Sequence, residues 1–248
     1  RMKELQIPDS VETIGDLCFE YCSGLNKIVI PDSVRSIGYA SFSSCESLRE
    51  LYISSSVKYI GDSVFANSNH LSTLIVDENN ENYSSENDVL YNRDKTTLIF
   101  VPDSKSDDVI IPDTVTHIAK NAFLQCNISR ITIPDSVVEI GEMAFAYCEK
   151  LKMITIPDSV ETIEDCAFYG CSSLVSVHIP AGIEYMGVSV FEKCDRLRRV
   201  SFGGSKVAWG KRFSGDGLYG NIGIGLNKRV KVSYNSVPPA AATITRQP

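Results

Sequence analysis

The chain of 248 residues is 43% hydrophobic and 22% charged, a balance that is typical of a folded domain and excludes the disordered and membrane-embedded classes. No apolar run approaches the roughly 18 residues that a membrane-spanning helix needs, so no membrane insertion is expected. The net charge of -7 argues against a nucleic-acid partner, because binding of that kind depends on basic side chains that neutralise phosphates.

Basic side chains are concentrated near the C-terminus. Residues 193–231 contain ten lysines and arginines against two aspartates, a balance of +8 that leaves -15 for the rest of the chain. Two interpretations are open for this stretch. It is either a solvated basic end of the molecule or a docking surface for an acidic partner.

A motif recurs about every 23 residues: Ile-Pro-Asp-Ser-Val-x-x-Ile-Gly-x-x-Ala-Phe-x-x-Cys-x-x-Leu-x-x-Ile. A period of this length predicts a solenoid, because one unit cannot bury its own apolar face and must stack on a neighbour. The isoleucine–proline pairs begin at residues 7, 30, 111, 133, 156 and 179, and the phenylalanines are Phe19, Phe42, Phe65, Phe123, Phe145, Phe168 and Phe191.

Within each repeat the pattern predicts two short strands and one turn of helix. Residues 25–30 alternate apolar and polar positions as a half-buried strand does, and Pro31 ends that strand. Residues 34–37 predict a second short strand, and residues 40–45 are expected to form one helical turn that is held by packing. About ten such turns, stacked about 4.8 Å apart, would form a right-handed α/β solenoid with one continuous phenylalanine column.

The period breaks at three places. The 58 residues between Phe65 and Phe123 contain one regular unit and a longer one, and the excess is interpreted as a hairpin near residues 89–101. One residue is missing near Cys126, and the deletion is placed in a turn because it would shift the register of a strand. After Phe202 the motif stops.

These breaks suggest a division of the chain. Residues 1–202 are interpreted as the solenoid, with its irregular repeat near 77–110. Residues 203–235 are interpreted as a C-terminal cap, with a helix over 206–213 and a last strand over 230–234, and residues 236–248 as a linker or tail. Because the chain opens within a repeat, it is expected to be a fragment or mature form of a longer protein.

The sequence predicts no catalytic residue, metal or cofactor. Six of the eight cysteines occupy one repeat position, which Ser68 fills elsewhere, so they are interpreted as small, buried free thiols. The histidines His70, His117 and His178 fall in different repeats, and each is interpreted as a surface or turn residue. Residues 215–220 match GxGxxG but lack the preceding strand and following helix of a nucleotide site.

The repeats at residues 133–151 and 156–174, the second with Glu164 at the glycine position, resemble the BspA-type (treponemal-type) leucine-rich repeat. The insertion over residues 83–102 resembles a variant unit of that family, and the resemblance extends from residue 2 to about residue 234. It implies a leucine-rich-repeat solenoid without a cofactor, in an extracellular or surface-anchored protein of a host-associated bacterium or protozoan. Some members are adhesins for host proteins such as fibronectin and fibrinogen. The resemblance transfers no site residues, because the family motif consists of core positions.

A candidate binding surface follows from the strand pattern. The residue between the last two apolar positions of the first strand must face outward, and in three successive repeats it is Val29, Tyr52 and Ile75. These residues are predicted to form an exposed apolar stripe, with Lys58 and Tyr59 on the second strand of the same repeat. The alternative is that β-branched and aromatic residues here only support strand pairing.

The function predicted from these observations is a non-enzymatic, adhesin-like protein-binding module. Its partner would be a host or surface protein of unknown identity. The alternative is a structural spacer or presentation stalk in a multidomain surface protein.

Overall fold

The computed structural model describes residues 4–68, 70–103, 109–213 and 230–236. No helix in these ranges is long and apolar enough to cross a membrane. Over the same ranges the chain forms eighteen strands and one helix, which in chain order are β1 (Glu4–Leu5), β2 (Thr13–Ile14), β3 (Lys27–Ile30), β4 (Ser36–Ile37), β5 (Glu50–Ile53), β6 (Tyr59–Ile60), β7 (Thr73–Val76), β8 (Tyr83–Glu86), β9 (Val89–Asn92), β10 (Thr97–Phe100), β11 (His117–Ile118), β12 (Glu139–Ile140), β13 (Met153–Thr155), β14 (Thr162–Ile163), β15 (Ser176–Ile179), β16 (Tyr185–Met186), β17 (Arg199–Phe202), α1 (Lys206–Phe213) and β18 (Lys231–Tyr234).

Successive turns of the chain pair through parallel strands, which confirms the predicted solenoid. The first strands of the repeats form two four-stranded sheets, β1-β3-β5-β7 and β13-β15-β17-β18. The short second strands form the three-stranded sheet β2-β4-β6 and part of the seven-stranded sheet β16-β14-β12-β11-β10-β9-β8. The solenoid has about eight turns. The figure of ten is too high because the hairpin and the C-terminal segment do not add regular turns.

The predicted helical turn is not formed. In residues 40–45, Ala40 and Ser44 have left-handed backbone angles, with φ of 48° and 55°, and a helix cannot contain them. The N–H groups of Ala40, Phe42 and Ser44 donate instead to carbonyl groups of the next turn, at 3.0, 3.0 and 2.8 Å. On this side of the solenoid, backbone hydrogen bonds therefore connect successive turns, because alternate N–H groups point along the long axis.

The same backbone conformation recurs in nearly every repeat, two residues before and two residues after the phenylalanine. Non-glycine residues at these positions all have positive φ. They are Leu17, Tyr21, Ala40, Ser44, Ser63, Asn67, Asn121, Gln125, Met143, Tyr147, Cys166, Ser189 and Lys193.

The phenylalanines stack in two runs rather than in the single continuous column that was predicted. In the first run Phe42 lies 5.3 Å from Phe19 and 6.2 Å from Phe65, measured between ring centroids. The second run is Phe123, Phe145, Phe168 and Phe191, with spacings of 4.7 to 5.4 Å. Between the runs, Phe65 meets Phe100 at an angle of 54°, because the inserted hairpin occupies the place of a regular repeat.

The insertion forms the predicted hairpin and one strand more. Strand β9 pairs with β10, and β8 pairs with β9, both antiparallel. Strand β10 then pairs in parallel with β11, so the hairpin joins the regular second strands that follow it.

Where the deletion near Cys126 falls, residues 126–134 contain no strand. Residues 109–116, which follow the inserted hairpin, also contain no strand, so the first-strand sheet is interrupted between β7 and β13. The outward-facing residues of the first strands therefore do not form one column. They lie on two separate sheets, β1-β3-β5-β7 and β13-β15-β17-β18.

At the C-terminal end, α1 and β18 occupy the predicted positions, and β18 pairs in parallel with β17. Trp209 of α1 is 1% exposed and meets Phe202 and Tyr234 edge-on, at centroid distances of 5.2 and 6.2 Å. The GxGxxG match and residues 237–248 lie outside the described residues, and the proposed division of the chain at residues 202 and 235 stays a prediction.

Five of the six repeated cysteines are buried, as predicted, whereas Cys22 in the first repeat is partly exposed. The structure adds a role for the thiol. The thiols of Cys45, Cys148 and Cys171 donate to the carbonyl oxygen of a phenylalanine one turn earlier, at 3.1 to 3.2 Å. At the equivalent position the hydroxyl of Ser68 donates to Phe42 O at 2.8 Å. Cysteine and serine are interchangeable here because both are small donors.

Burial controls the reactivity of these thiols. Burial raises the pKa of Cys45 to about 11 and the pKa of Cys126 well above its usual value, so both stay protonated at neutral pH. Because the thiolate is the reactive form, we expect a maleimide at neutral pH to label the exposed Cys18 rapidly and these buried thiols at least about a hundredfold more slowly. Timed labelling with mass spectrometry of the separate peptides measures this, and Cys18→Ser should remove the rapid labelling of its own peptide while leaving the slow labelling of Cys45 and Cys126 unchanged. Rapid labelling of Cys126 in the folded protein would contradict the assigned burial.

Candidate protein-binding surface

Three of the predicted site residues lie side by side on the sheet β1-β3-β5-β7. Val29 pairs directly with Tyr52, and Tyr52 pairs directly with Ile75. Val29 and Ile75 are 48% and 44% exposed, and Tyr52 between them is half-buried. We call these three residues the apolar stripe. It is continuous, because paired residues on neighbouring strands have adjacent side chains.

A charged column lies beside the apolar stripe. Lys27 pairs with Glu50 in the sheet, and its ammonium group lies 3.0 Å from the Glu50 carboxylate. The same ammonium lies 4.8 Å from the centre of the Tyr52 ring, a cation–π distance. Tyr52 is therefore held in place by a neighbouring charge, which favours a fixed orientation of its ring on the surface.

The other two predicted site residues lie in a different sheet. Tyr59 belongs to β6, pairs with Ser36 and is 58% exposed. Lys58 precedes it and is also exposed. Among the described residues no hydrogen bond, ion pair or ring contact joins Lys58 or Tyr59 to the apolar stripe, so their part in a common surface stays a prediction.

The interpretation of His178 as a surface or turn residue is wrong. His178 lies on β15 and is 1% exposed, and its Nδ1 lies 3.0 Å from the hydroxyl oxygen of Ser201. His178 pairs with Thr155 on one neighbouring strand and with Ser201 on the other. Its burial depends on how neighbouring turns enclose it, and the repeat pattern contains no signal for that.

Burial also shifts the titration of His178. It lowers the pKa of the imidazole below its usual value, and the nearby Asp158 opposes this shift in part. Below about pH 6.5 the unfolded chain therefore binds a proton that the folded protein takes up only at lower pH. The folded state is consequently favoured above this pH and loses stability as the pH falls.

We expect His178→Gln to reduce the loss of unfolding free energy between roughly pH 7 and pH 5. Urea unfolding at several pH values measures this slope. The matched control is His70→Gln, at an exposed turn position, which should leave the slope unchanged. If the unfolding free energy of His178→Gln depends on pH as steeply as that of the wild-type protein, His178 has the same pKa in the folded and unfolded states, which contradicts this prediction.

No group of three or more histidine, cysteine or carboxylate side chains in the described residues is placed to hold a metal ion. The surface features of these residues are exposed apolar, aromatic and charged side chains on stacked strands. Such features suit contact with another macromolecule.

Comparison with known families and structures agrees with this geometry. The family profile described as BspA type leucine rich repeat region matches residues 1–107 and 99–213, in six copies. No curated protein sequence matches the chain significantly.

Several solved structures are similar to this chain. The pneumococcal vaccine antigen PcpA is 28% identical with a TM-score of 0.69, over 78% of this chain and 54% of that one. A leucine rich cell surface protein from Faecalibacterium prausnitzii is also 28% identical with a TM-score of 0.69, over 85% of this chain and 62% of that one. A leucine-rich repeat protein from Bacteroides ovatus is 26% identical with a TM-score of 0.53, over 81% of this chain and 49% of that one. The chain thus spans between about half and three-fifths of the length of these proteins.

Proposed function

Since the chain belongs to the BspA-type leucine-rich-repeat family, we propose that it is the protein-binding module of a bacterial surface or secreted protein, with an adhesin-like role and no enzymatic activity. Two similar structures support a surface location, since one is named a cell surface protein and the other a vaccine antigen. The family is built from protein-interaction repeats, which supports a protein as the partner.

The apolar stripe is the single observation that supports this proposal from the chain itself. Val29, Tyr52 and Ile75 form a contiguous apolar surface on a regular sheet, with Lys27 and Glu50 beside them. An apolar centre with an aromatic residue and a charged rim is the usual composition of a protein interface. A rigid sheet also lowers the conformational entropy that is lost on binding.

The experiment measures binding of the purified chain to immobilised fibronectin and fibrinogen by biolayer interferometry. We expect saturable binding to one of them. The double variant Tyr52→Ala with Ile75→Ser should weaken that binding at least about tenfold, because it removes the central anchor and one flank of the apolar stripe. Its cooperative thermal unfolding should be retained, since both side chains lie on the outward face.

The matched control is Tyr185→Ala with Val188→Ser, which also removes one exposed tyrosine and one exposed aliphatic residue. Tyr185 and Val188 are 49% and 45% exposed, near strand β16 of another sheet. Unchanged binding by the stripe variant, or equal weakening by the control, would reject the stripe as the binding surface. If the isolated chain binds neither fibronectin nor fibrinogen, and a longer protein that contains this chain does bind one of them, the spacer function is favoured.

A further inference from the structure

The outward face of the sheet β13-β15-β17-β18 contains a cavity of about 460 Å³. A volume of this size is within the range of small-ligand sites. We call it the C-terminal groove. Two columns of side chains in strand register line it, and they are Met153, Ser176, Arg199 and Lys231 in one column and Thr155, His178, Ser201 and Ser233 in the other.

Two positive charges face each other in the first column. Arg199 pairs directly with Lys231, and like charges directly opposite on neighbouring strands destabilise a sheet. Both side chains are exposed, and no carboxylate of the described residues lies within ion-pair distance of either. In the N-terminal sheet the corresponding pair is Lys27 and Glu50, which does form an ion pair. The C-terminal groove therefore has a charge arrangement that a bound anion would relieve.

The second column contains a buried nitrogen atom without a partner. His178 is 1% exposed, and its Nε2 has no hydrogen-bond partner among the described residues. The Ser201 hydroxyl donates to the Val177 carbonyl oxygen at 3.4 Å, and its oxygen lies 3.0 Å from Nδ1 of His178. In that arrangement Nδ1–H donates to the Ser201 oxygen and Nε2 carries a lone pair, so His178 reports on the C-terminal groove and does not donate to an anion.

We propose that the C-terminal groove binds a carboxylate side chain in an acidic peptide segment of a protein partner. The choice of a protein as the partner rests on the proposed function. The carboxylate oxygens accept hydrogen bonds from the Arg199 guanidinium and the Lys231 ammonium, which are both exposed. A guanidinium binds a carboxylate through two parallel hydrogen bonds. The hydroxyls of Ser176, Ser233 and Thr155 are donors and acceptors for the peptide backbone.

The number of charges selects the class of anion. Two cationic side chains match one or two carboxylates, whereas nucleic acids require many phosphate contacts. Nucleic acid is also disfavoured by the net charge of -7.

The experiment uses the full chain, isotope-labelled at its three histidines, and records their imidazole signals by NMR. The probe is an eight-residue peptide of alternating glutamate and glycine, blocked at both ends. We expect saturable shifts of the His178 signals, while those of His70 and His117 stay in place. The counterpart peptide with glutamine in place of glutamate should cause no shift.

Charge variants test the two cations. Arg199→Gln with Lys231→Gln should weaken binding of the glutamate peptide at least about tenfold. The matched control is Arg196→Gln with Lys206→Gln, two exposed basic residues that do not line the C-terminal groove, and it should change the affinity by less than about twofold. Thermal melts establish that both pairs of variants fold.

Three results would overturn the proposal: equal binding of the glutamine peptide, equal weakening by the control pair, or tighter binding of a glucuronate oligomer than of the glutamate peptide. The last result would identify an acidic saccharide site. The Tyr52→Ala with Ile75→Ser variant should bind the peptide normally. If the peptide does not bind the C-terminal groove, the binding test of the apolar stripe is unaffected. If the apolar stripe does not bind a protein, the peptide test of the C-terminal groove is likewise unaffected.

Discussion

Replacing Phe145 with alanine is expected to lower the free energy of unfolding by about 3–5 kcal/mol. The ring is fully buried and stacks on Phe123 at 4.7 Å and on Phe168 at 5.1 Å, so its removal leaves a cavity between two turns. Each neighbouring ring loses one packing face, and the solenoid has no second layer that can close the gap. Urea unfolding followed by circular dichroism measures the loss.

The control for this prediction is Phe19→Ala in the first phenylalanine run. Phe19 is half-buried and stacks on Phe42 at 5.3 Å, so its truncation removes less buried surface. We expect a loss of about 1–2 kcal/mol. A loss for Phe145→Ala no larger than that for Phe19→Ala would show that the interior rings do not stabilise the stack.

Replacing Trp209 with alanine is expected to cost a similar amount, about 3–5 kcal/mol, at the C-terminal end. Trp209 is the one tryptophan of the chain, and it packs between Phe202 of β17 and Tyr234 of β18. Without it, β18 keeps its backbone pairing to β17 but loses the side chain that covers its inner face. Hydrogen exchange with mass spectrometry should therefore show faster exchange over residues 231–234.

Trp209→Phe is the matched variant, because it keeps an aromatic ring at the same place. It should retain most of the protection of β18 and lose about 1–2 kcal/mol. Unchanged exchange of residues 231–234 in Trp209→Ala would mean that β18 is held by its backbone hydrogen bonds alone.

The repeat predicts the core and the outward column because both follow from strand alternation. Once residues 27–30 and 50–53 are read as strands one period apart, the pairing of Val29 with Tyr52 follows, and the structure has that register. The burial of the cysteines in the inner repeats follows from their recurrence at one position of a stacked unit, which neighbouring repeats cover on both sides.

The sequence does not reveal the form of residues 40–45, because their hydrogen-bond partners lie on the next turn. A single repeat considered alone favours local bonds and hence a helical turn. The stack favours bonds between turns and selects left-handed residues such as Ala40 and Ser44. The split of the phenylalanine column has the same kind of cause, since the packing of Phe65 on Phe100 depends on how the inserted hairpin is placed.

Sequence reasoning found the apolar stripe and the basic stretch over residues 193–231, which includes Arg199 and Lys231, but not the C-terminal groove that these two residues line. An exposed apolar residue is visible from its strand position alone. The opposed cations of Arg199 and Lys231 arise from two strands that pair across a long intervening segment, which the repeat pattern does not cover.

The recurring left-handed residues have a thermodynamic consequence for arrays of this kind. A non-glycine residue in this conformation is disfavoured by about 1–2 kcal/mol, and a regular turn contains two. An isolated turn would bear that penalty without the compensating bonds, so each coil is unstable until an adjacent coil forms. Stability then grows with the number of junctions between coils rather than with chain length, as in a nearest-neighbour lattice. Folding should begin where two coils meet and extend outward from that point.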